Sequence, residues 1–185
     1  MSALLRHGHS TSPQHHAMFD ADHIFDSDHR LVDQILNPSR YQSKPSIRNM
    51  LSIAVREDWA RVLSDRLINK DYIAVDNSLN LKVAIDLIIL HDERRYVCKV
   101  CYVSSPRLQQ VVEKGPFIHH VASVNAACYM THCHDGLIFY QHGTACKIFH
   151  VRYNEAMFKS TAHRCKKLND YVLLGKVPPQ EKNRG

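Results

Sequence analysis

The stretch KVAIDLIIL (82–90), HDER (91–94), RYVCKVCYV (95–103) reads as two strands joined by a tight polar turn. Isoleucine and leucine lead the first apolar run and valine and tyrosine the second, largely the residues that suit paired strands, and the charged link between them supplies the turn. If the turn closes symmetrically, Leu87 faces Cys98 and Asp86 faces Lys99. A carboxylate across from an ammonium amid apolar neighbours is either a half-buried ion pair or half of a metal-dependent phosphodiester-cleaving site. The flanking elements have to decide between the two.

Upstream, Pro45 and Ser46 announce a helix running to about Leu67. Ile47, Met50, Leu51, Ala54, Val55, Trp59, Val62 and Leu63 recur at the three-and-four spacing of a buried stripe. Asp58 falls inside that stripe, four residues after Ala54 and four before Val62, whereas Glu57 lies off its edge. A carboxylate at such a position needs a partner, a metal or water. A further strand is expected at Tyr72–Val75, followed by the DNSLN turn.

Downstream, Pro106 to Lys114 suits a short helix or loop, and Gly115-Pro116 resets the chain. Residues 117–134 carry helical periodicity, and Gly136 ends it. GLIFYQHG (136–143) and ACKIFHVRY (145–153) form a second hairpin, after which Asn154 caps a helix through about Tyr171. The order helix, three strands, helix, two strands, helix predicts an α/β fold with a central mixed β-sheet flanked by helices. Residues 45–175 form that domain. Residues 1–44 are read as a flexible His-rich arm, ordered by a protein partner if at all, and 176–185 as an irregular tail.

Composition narrows the partner. The 185 residues are 44% hydrophobic, enough for one substantial core, and the net charge of +6 with 14 further histidines leans toward an acidic partner, nucleic acid above all. No apolar run approaches the ~20 residues that span a bilayer, and Met1 to Leu5 is too short for a signal-peptide core. The expectation is a cytoplasmic protein without membrane association. The six cysteines lie in element-like stretches, which suits reduced buried thiols. Six histidines crowd residues 1–30, where the solvated reading outweighs metal binding for want of fixed geometry.

The element order, an acid in the first helix and an Asp-to-Lys hairpin in the middle resemble the PD-(D/E)XK nuclease superfamily, especially its RecB-like exonuclease branch. The resemblance covers roughly residues 46–170 and implies a restriction-endonuclease-like core. IDLII places Asp86 on the family's metal-binding aspartate, and YVCKV places Lys99 on its lysine. The family's second acid, two residues before the lysine, is Val97 here. Asn125 and Tyr129, in NAACY, match the branch's Gln-x-x-x-Tyr positions, which implies a role in holding the substrate strand.

The resemblance implies Mg²⁺ or Mn²⁺ as cofactor, DNA as substrate, and a setting in viral or mobile-element DNA processing, in the host cytoplasm if viral. Oxygen-ligated magnesium neutralises the scissile phosphate and activates water, while a lysine orients the attacking group. Asp86, Asp58 or Glu57 and the Cys98 carbonyl are the candidate ligands, and Asp86 and Lys99, with Asp58 or Glu57, the candidate catalytic set. Two alternatives stay open. The chain is a catalytically degenerate relative that binds nucleic acid or serves as an assembly module, or Asp86 and Lys99 form a cross-strand ion pair.

Other motifs point less far. Cys98-x-x-Cys101 on one strand sends its thiols to opposite faces. His132, Cys133, His134 and Asp135, with Cys128 one turn back, suit a polar helix end better than a zinc site. Lys147, Arg152, Lys159, Arg164, Lys166 and Lys167, interleaved with Phe149, Tyr153 and Phe158, offer a surface for phosphate contacts. No Gly-rich phosphate loop, G-x-S-x-G elbow or H-E-x-x-H occurs.

Overall fold

In the computed structural model, which describes residues 18–41 and 46–180, the chain runs β1 (Phe19–Asp20), α1 (Asp28–Leu36), α2 (Ile47–Val62), β2 (Leu67–Asp76), β3 (Leu81–His91), β4 (Arg94–Tyr102), α3 (Ser105–Lys114), α4 (Ile118–Thr131), β5 (Asp135–His142), β6 (Ala145–Arg152) and α5 (Glu155–Leu173). The fold is α/β, a mixed central sheet flanked by helices. Single 3₁₀ turns follow β1 at Ala21–His23 and α1 at Pro38–Tyr41. No helix among the described residues is long and apolar enough to cross a membrane.

The 82–103 stretch forms its hairpin in the expected register. Leu87 pairs with Cys98 and His91 with Arg94, and the turn residues Asp92 and Glu93 take φ of 48° and 61°. Two consecutive left-handed residues match the twist of the flanking strands. β5 joins β4 in parallel and β6 closes that end antiparallel.

The pairing of β3 and β4 stops at Leu87 and Cys98. Beyond that point the two strands part. β2 pairs with β3 along its length, including Asp76 with Leu81 and Val75 with Lys82. β1 pairs in parallel with the same two β3 residues, Phe19 with Leu81 and Asp20 with Lys82. A strand has only two edges, so β1 lies in the fork that β4 leaves open.

Packing follows the two faces. The larger core joins β1, α1, α4 and α5 to one face and buries Phe19, Leu31, Val83, Ile85, Val97, Ile138 and Leu168. The smaller core places Val55, Trp59 and Ala60 of α2 on Leu87, Ile89, Cys98, Val100 and Phe139. Each fully buried Leu, Ile or Val side chain contributes about 1.5–3 kcal/mol. Along β3, Val83 and Ile85 face the larger core, but so does Ile88, while Leu87 and Ile89 face the smaller one. The alternation therefore slips by one residue around Asp86.

Three elements differ from the sequence reading. Residues 18–36, read as part of a flexible arm, send Phe19, Ala21, Ile24, Leu31 and Val32 into the larger core; residues 1–17, also read as arm, lie outside the described residues. Their Asp- and His-rich setting hides the few apolar side chains that anchor them. Helix α2 stops at Val62, and the chain enters β2 at Leu67 because the full length of β3 offers backbone partners there. The α2 stripe is also narrower than its sequence: Ile47 and Met50 are 78% and 63% exposed.

Elsewhere the local signals hold. Ser46 caps α2 by accepting from Asn49 N at 3.2 Å, and Asn154 caps α5 by accepting from Met157 N at 3.0 Å. Ala122 to Cys128 of α4 are all buried. The close seating of α4 depends on Gly136, where an added Cβ would stand 2.2 Å from Val124 Cγ1 and 3.2 Å from Val97 Cγ2. Gly136→Ala is expected to lower unfolding stability by about 1–3 kcal/mol through overpacking, read as a reduced urea midpoint with unchanged slope.

Candidate active site

Lys99 projects from β4 onto the α4 face, alongside Val97 and Cys101. Its side chain is 11% exposed, and its Nζ donates to both oxygens of Asp22 at 2.7 Å. Asp22 comes from the turn after β1, in the fork between β3 and β4. Burial by itself pushes the Asp22 carboxyl up, but Lys99, a hydrogen bond from Ser123 and the nearby His120 more than offset it and hold it below the ordinary carboxylate range. Burial likewise works against the Lys99 ammonium, yet Asp22 outweighs it and raises its pKa. Both partners are therefore charged at neutral pH.

Asp86 is satisfied by other groups. Val100 N donates to its Oδ2 at 2.7 Å, and Arg56 Nη1 of α2 donates to its Oδ1 at 3.2 Å. The Arg56 Nε lies 3.0 Å from Asp71 Oδ1. Lys70 pairs with Leu87 and Tyr72 with Ile85, so Asp71 stands opposite Asp86 across β2 and β3. Asp71 has a φ of 54°, a kink in the strand at that point. Arg56 spans the two carboxylates with its planar fork.

The expected ion pair between Asp86 and Lys99 is thus replaced by two pairs, Asp86 with Arg56 and Lys99 with Asp22. The cause is the parting of the strands. Their ladder ends one step before these residues meet, and the Asp86 carboxylate bonds a β4 amide where the next rung would have formed.

Of the helix acids, Asp58 lies apart from both pairs, while Glu57 meets the first only through Lys70, whose ammonium also lies 3.9 Å from Asp71. Glu57 accepts from Lys70 Nζ at 2.7 and 2.8 Å, and Asp58 meets Arg61 at 3.3 Å, 62% exposed. The phase of α2 explains this, since Trp59 turns inward to pack at a tilt against Phe139 and donate Nε1–H to Gln141 Oε1 at 2.7 Å. Asp58, one residue away, faces solvent.

Cys98 sits in the fully paired part of β4, between Leu87 and Leu137, and its thiol enters the smaller core while that of Cys101 enters the larger. Asn125 donates to Asn154 O at 3.0 Å and accepts from Asn154 N at 2.7 Å, which ties α4 to the start of α5. Tyr129 stacks on Phe158 with centroids 3.7 Å apart. Val97 is 1% exposed.

Magnesium needs carboxylate oxygens free to face it. Both Asp86 oxygens are engaged, Asp71 shares the same guanidinium, Lys70 occupies both Glu57 oxygens, and Asp58 faces solvent. Among the described residues no group of three or more His, Cys, Asp or Glu side chains is placed to hold a metal ion. The donor set does not fit the cation. Near the end of α4, Asp135 accepts from His150 at 2.6 Å, and burial, with smaller contributions from Cys133 and Asp135, pushes the Cys128 thiol up to about 12.

The fold has counterparts of known structure. The chain superposes on an alkaline exonuclease from Laribacter hongkongensis with a TM-score of 0.69 and 6% identity, over 86% of this chain and 90% of that one. The same enzyme in complex with dAMP gives a TM-score of 0.71 at the same identity and coverage. A phage-related exonuclease from Haemophilus somnus 129PT gives 0.56 and 8% identity, over 85% and 94%. No protein-family model matches the sequence, and no curated protein matches it. The likeness is one of fold, and it is to exonucleases.

Asp22, Arg56 and Asp71 were not singled out by sequence reasoning. Asp71 carried a signal, since aspartate is depleted within strands. Asp22 carried none, lying 77 residues from Lys99.

The Asp22–Lys99 pair fixes a pH dependence. The lowered carboxyl contributes stability above an unfolded pKa of about 3.9 and loses it as pH falls. The raised ammonium contributes below about 10.4 and loses its share as pH rises past the folded value. Asp22→Asn is expected to cost about 2 kcal/mol near neutrality, less than the ~3–5 of a fully buried pair because Asp22 is one-third exposed. The deficit shrinks below about pH 4 and above about pH 10.4, as urea midpoints across that range will read.

Proposed function

We propose that the chain is a nucleic-acid-binding protein built on a nuclease fold, with metal-assisted hydrolysis lost. The observation that carries this reading is the engagement of Asp86 by Arg56 and the Val100 amide. Val97 adds to it, because at the position of the resembled family's second acid it offers no ligand and lies buried beside Gly136. DNA as partner draws support from the exonuclease-like fold, from the dAMP complex of one fold relative, and from the net charge of +6. The setting would be viral or mobile-element DNA processing.

Phosphate contacts would fall to exposed cations. Lys147, Arg152 and Lys166 are exposed with no carboxylate of the described residues in ion-pair reach, and Lys147 stands 5.6 Å from the Phe149 ring centroid. Arg164 turns inward, donating to Asp28 and to the carbonyls of Ile24 and Asp26. Lys159 pairs with Glu155, and Lys167 lies 3.4 Å from Asp28.

The fold likeness itself favours a second reading: Mg²⁺- or Mn²⁺-dependent DNA cleavage through Asp86 and Lys99. Glu57, Asp58 and the Cys98 carbonyl would then complete the shell, with Asn125 and Tyr129 on the substrate strand. It requires Arg56 to release Asp86 and a helix acid to leave its present partner.

Incubation with linear and single-stranded DNA and either cation separates the readings. The protein is expected to bind DNA with affinity that falls as salt rises, and to leave it intact. Lys147→Ala together with Arg152→Ala should reduce the salt slope by about 2, roughly one per phosphate contact. Degradation abolished by both Asp86→Ala and Lys99→Ala would establish the enzyme instead. Neither binding nor cleavage would leave the assembly role.

A further inference from the structure

A cleft of about 530 Å³ opens where α1 and the turn after it face β1 and the start of β3. Phe19, Leu31, Ile35 and Pro38 give it an apolar lining, and Asp20 and Lys82 bring charge to it. Small-molecule sites run from about 300 to 1,000 Å³ and set a few polar groups among apolar walls, and this cleft has both properties. None of the residues of the Asp86–Arg56 and Lys99–Asp22 pairs lines it.

The two charges are neighbours that do not close on each other. Asp20 and Lys82 are partners in the parallel register of β1 and β3, on strands that run about 4.8 Å apart. The Asp20 carboxylate nonetheless turns back on its own chain, where Oδ1 accepts from Asp22 N at 2.9 Å. Lys82 has no carboxylate in ion-pair reach among the described residues. Its ammonium and the second Asp20 oxygen are thus both left for a ligand. Two other polar groups of the cleft are already committed: Tyr41 donates its hydroxyl to Asp33 at 2.6 Å, and His23 lies 3.4 Å from Asp26.

We propose that this cleft binds a zwitterion with a large apolar side chain, a free α-amino acid of the leucine, phenylalanine or tryptophan type. Its carboxylate accepts from Lys82, its ammonium donates to Asp20, and its side chain covers Ile35 and Pro38. An anion alone would face Asp20 and a cation alone would face Lys82, so a ligand carrying both signs is the one that leaves neither charge opposed. One α-carbon holds its two charged groups close enough for residues on neighbouring strands to meet both. A longer peptide carries them at opposite ends and does not fit. The site stands whether or not the chain binds DNA.

The test is calorimetric titration of L-tryptophan, L-phenylalanine and L-leucine into the full-length chain at neutral pH. Saturable binding of at least one is expected, and glycine, with both charges and no side chain, should not saturate over the same range. For the amino acid that binds, the amide and the N-acetyl derivative each lack one charge and should bind at least about tenfold more weakly. Lys82→Met should remove the preference over the amide and keep that over the acetylated form. Asp20→Asn, which can still accept from Asp22 N, should do the reverse. The comparison of derivatives on the unaltered protein needs no variant to fold. No saturable binding of any of the three, equal affinity for the amino acid and both derivatives, or unchanged selectivity in variants shown folded by circular dichroism overturns the proposal.

Discussion

An ammonium buried on a sheet face must meet a carboxylate, and in this fold Lys99 meets one that arrives from the far end of the chain. Leaving the ammonium without its carboxylate would cost about 2 kcal/mol, a sizeable share of a domain's net stability. The pair therefore ties Phe19–His23 to the sheet. With that segment come Phe19, Ala21 and Ile24, each nearly fully buried, and the Arg164 contacts that hold α5 against the same turn. The fork between β3 and β4 is closed by this pair together with those contacts and the two residue pairs of β1 with β3.

On the other face the same parting of strands sets the second pair. Once β4 leaves β3, the Asp86 carboxylate accepts the Val100 amide and so ends the ladder with a side chain in place of a backbone carbonyl. Asp71 opposite would repel it. Arg56 resolves that repulsion by lying between the two carboxylates, and it reaches them because Val55, Trp59 and Ala60 seat α2 on the sheet. A nuclease-like fold is thereby kept with its central charges neutralised from within. Geometry alone accounts for both pairs.

Much of the fold was legible in local chemistry. The polar turn at Asp92 and Glu93, the apolar runs about it and the Asn154 cap each act over a few residues, and each lies where the sequence put it; α4, in contrast, ends at Thr131 on the left-handed His132, and Gly136 lies inside β5. α1 was not legible, because its apolar anchors are sparse and its docking depends on Arg164. The site was legible only in part. Asp86 and Lys99 stood out as charges among apolar neighbours, and both do lie at the fork. Their partners did not, for two reasons. Asp22 reaches Lys99 through tertiary packing that no local pattern encodes. The partner from α2 depends on helix phase, and Ile47, Met50 and Leu51, which are exposed, drew the inferred stripe toward Asp58 and away from Arg56.

The central claim is that the chain's own groups neutralise the charges at this fork and leave no place for a divalent ion. Electron paramagnetic resonance of Mn²⁺ titrated into the protein at neutral pH tests it most directly, because free and bound ion give separate signals. The account predicts a free-ion signal that rises in proportion to added Mn²⁺, with no saturable bound fraction. A saturable site that disappears in Asp86→Asn would contradict it.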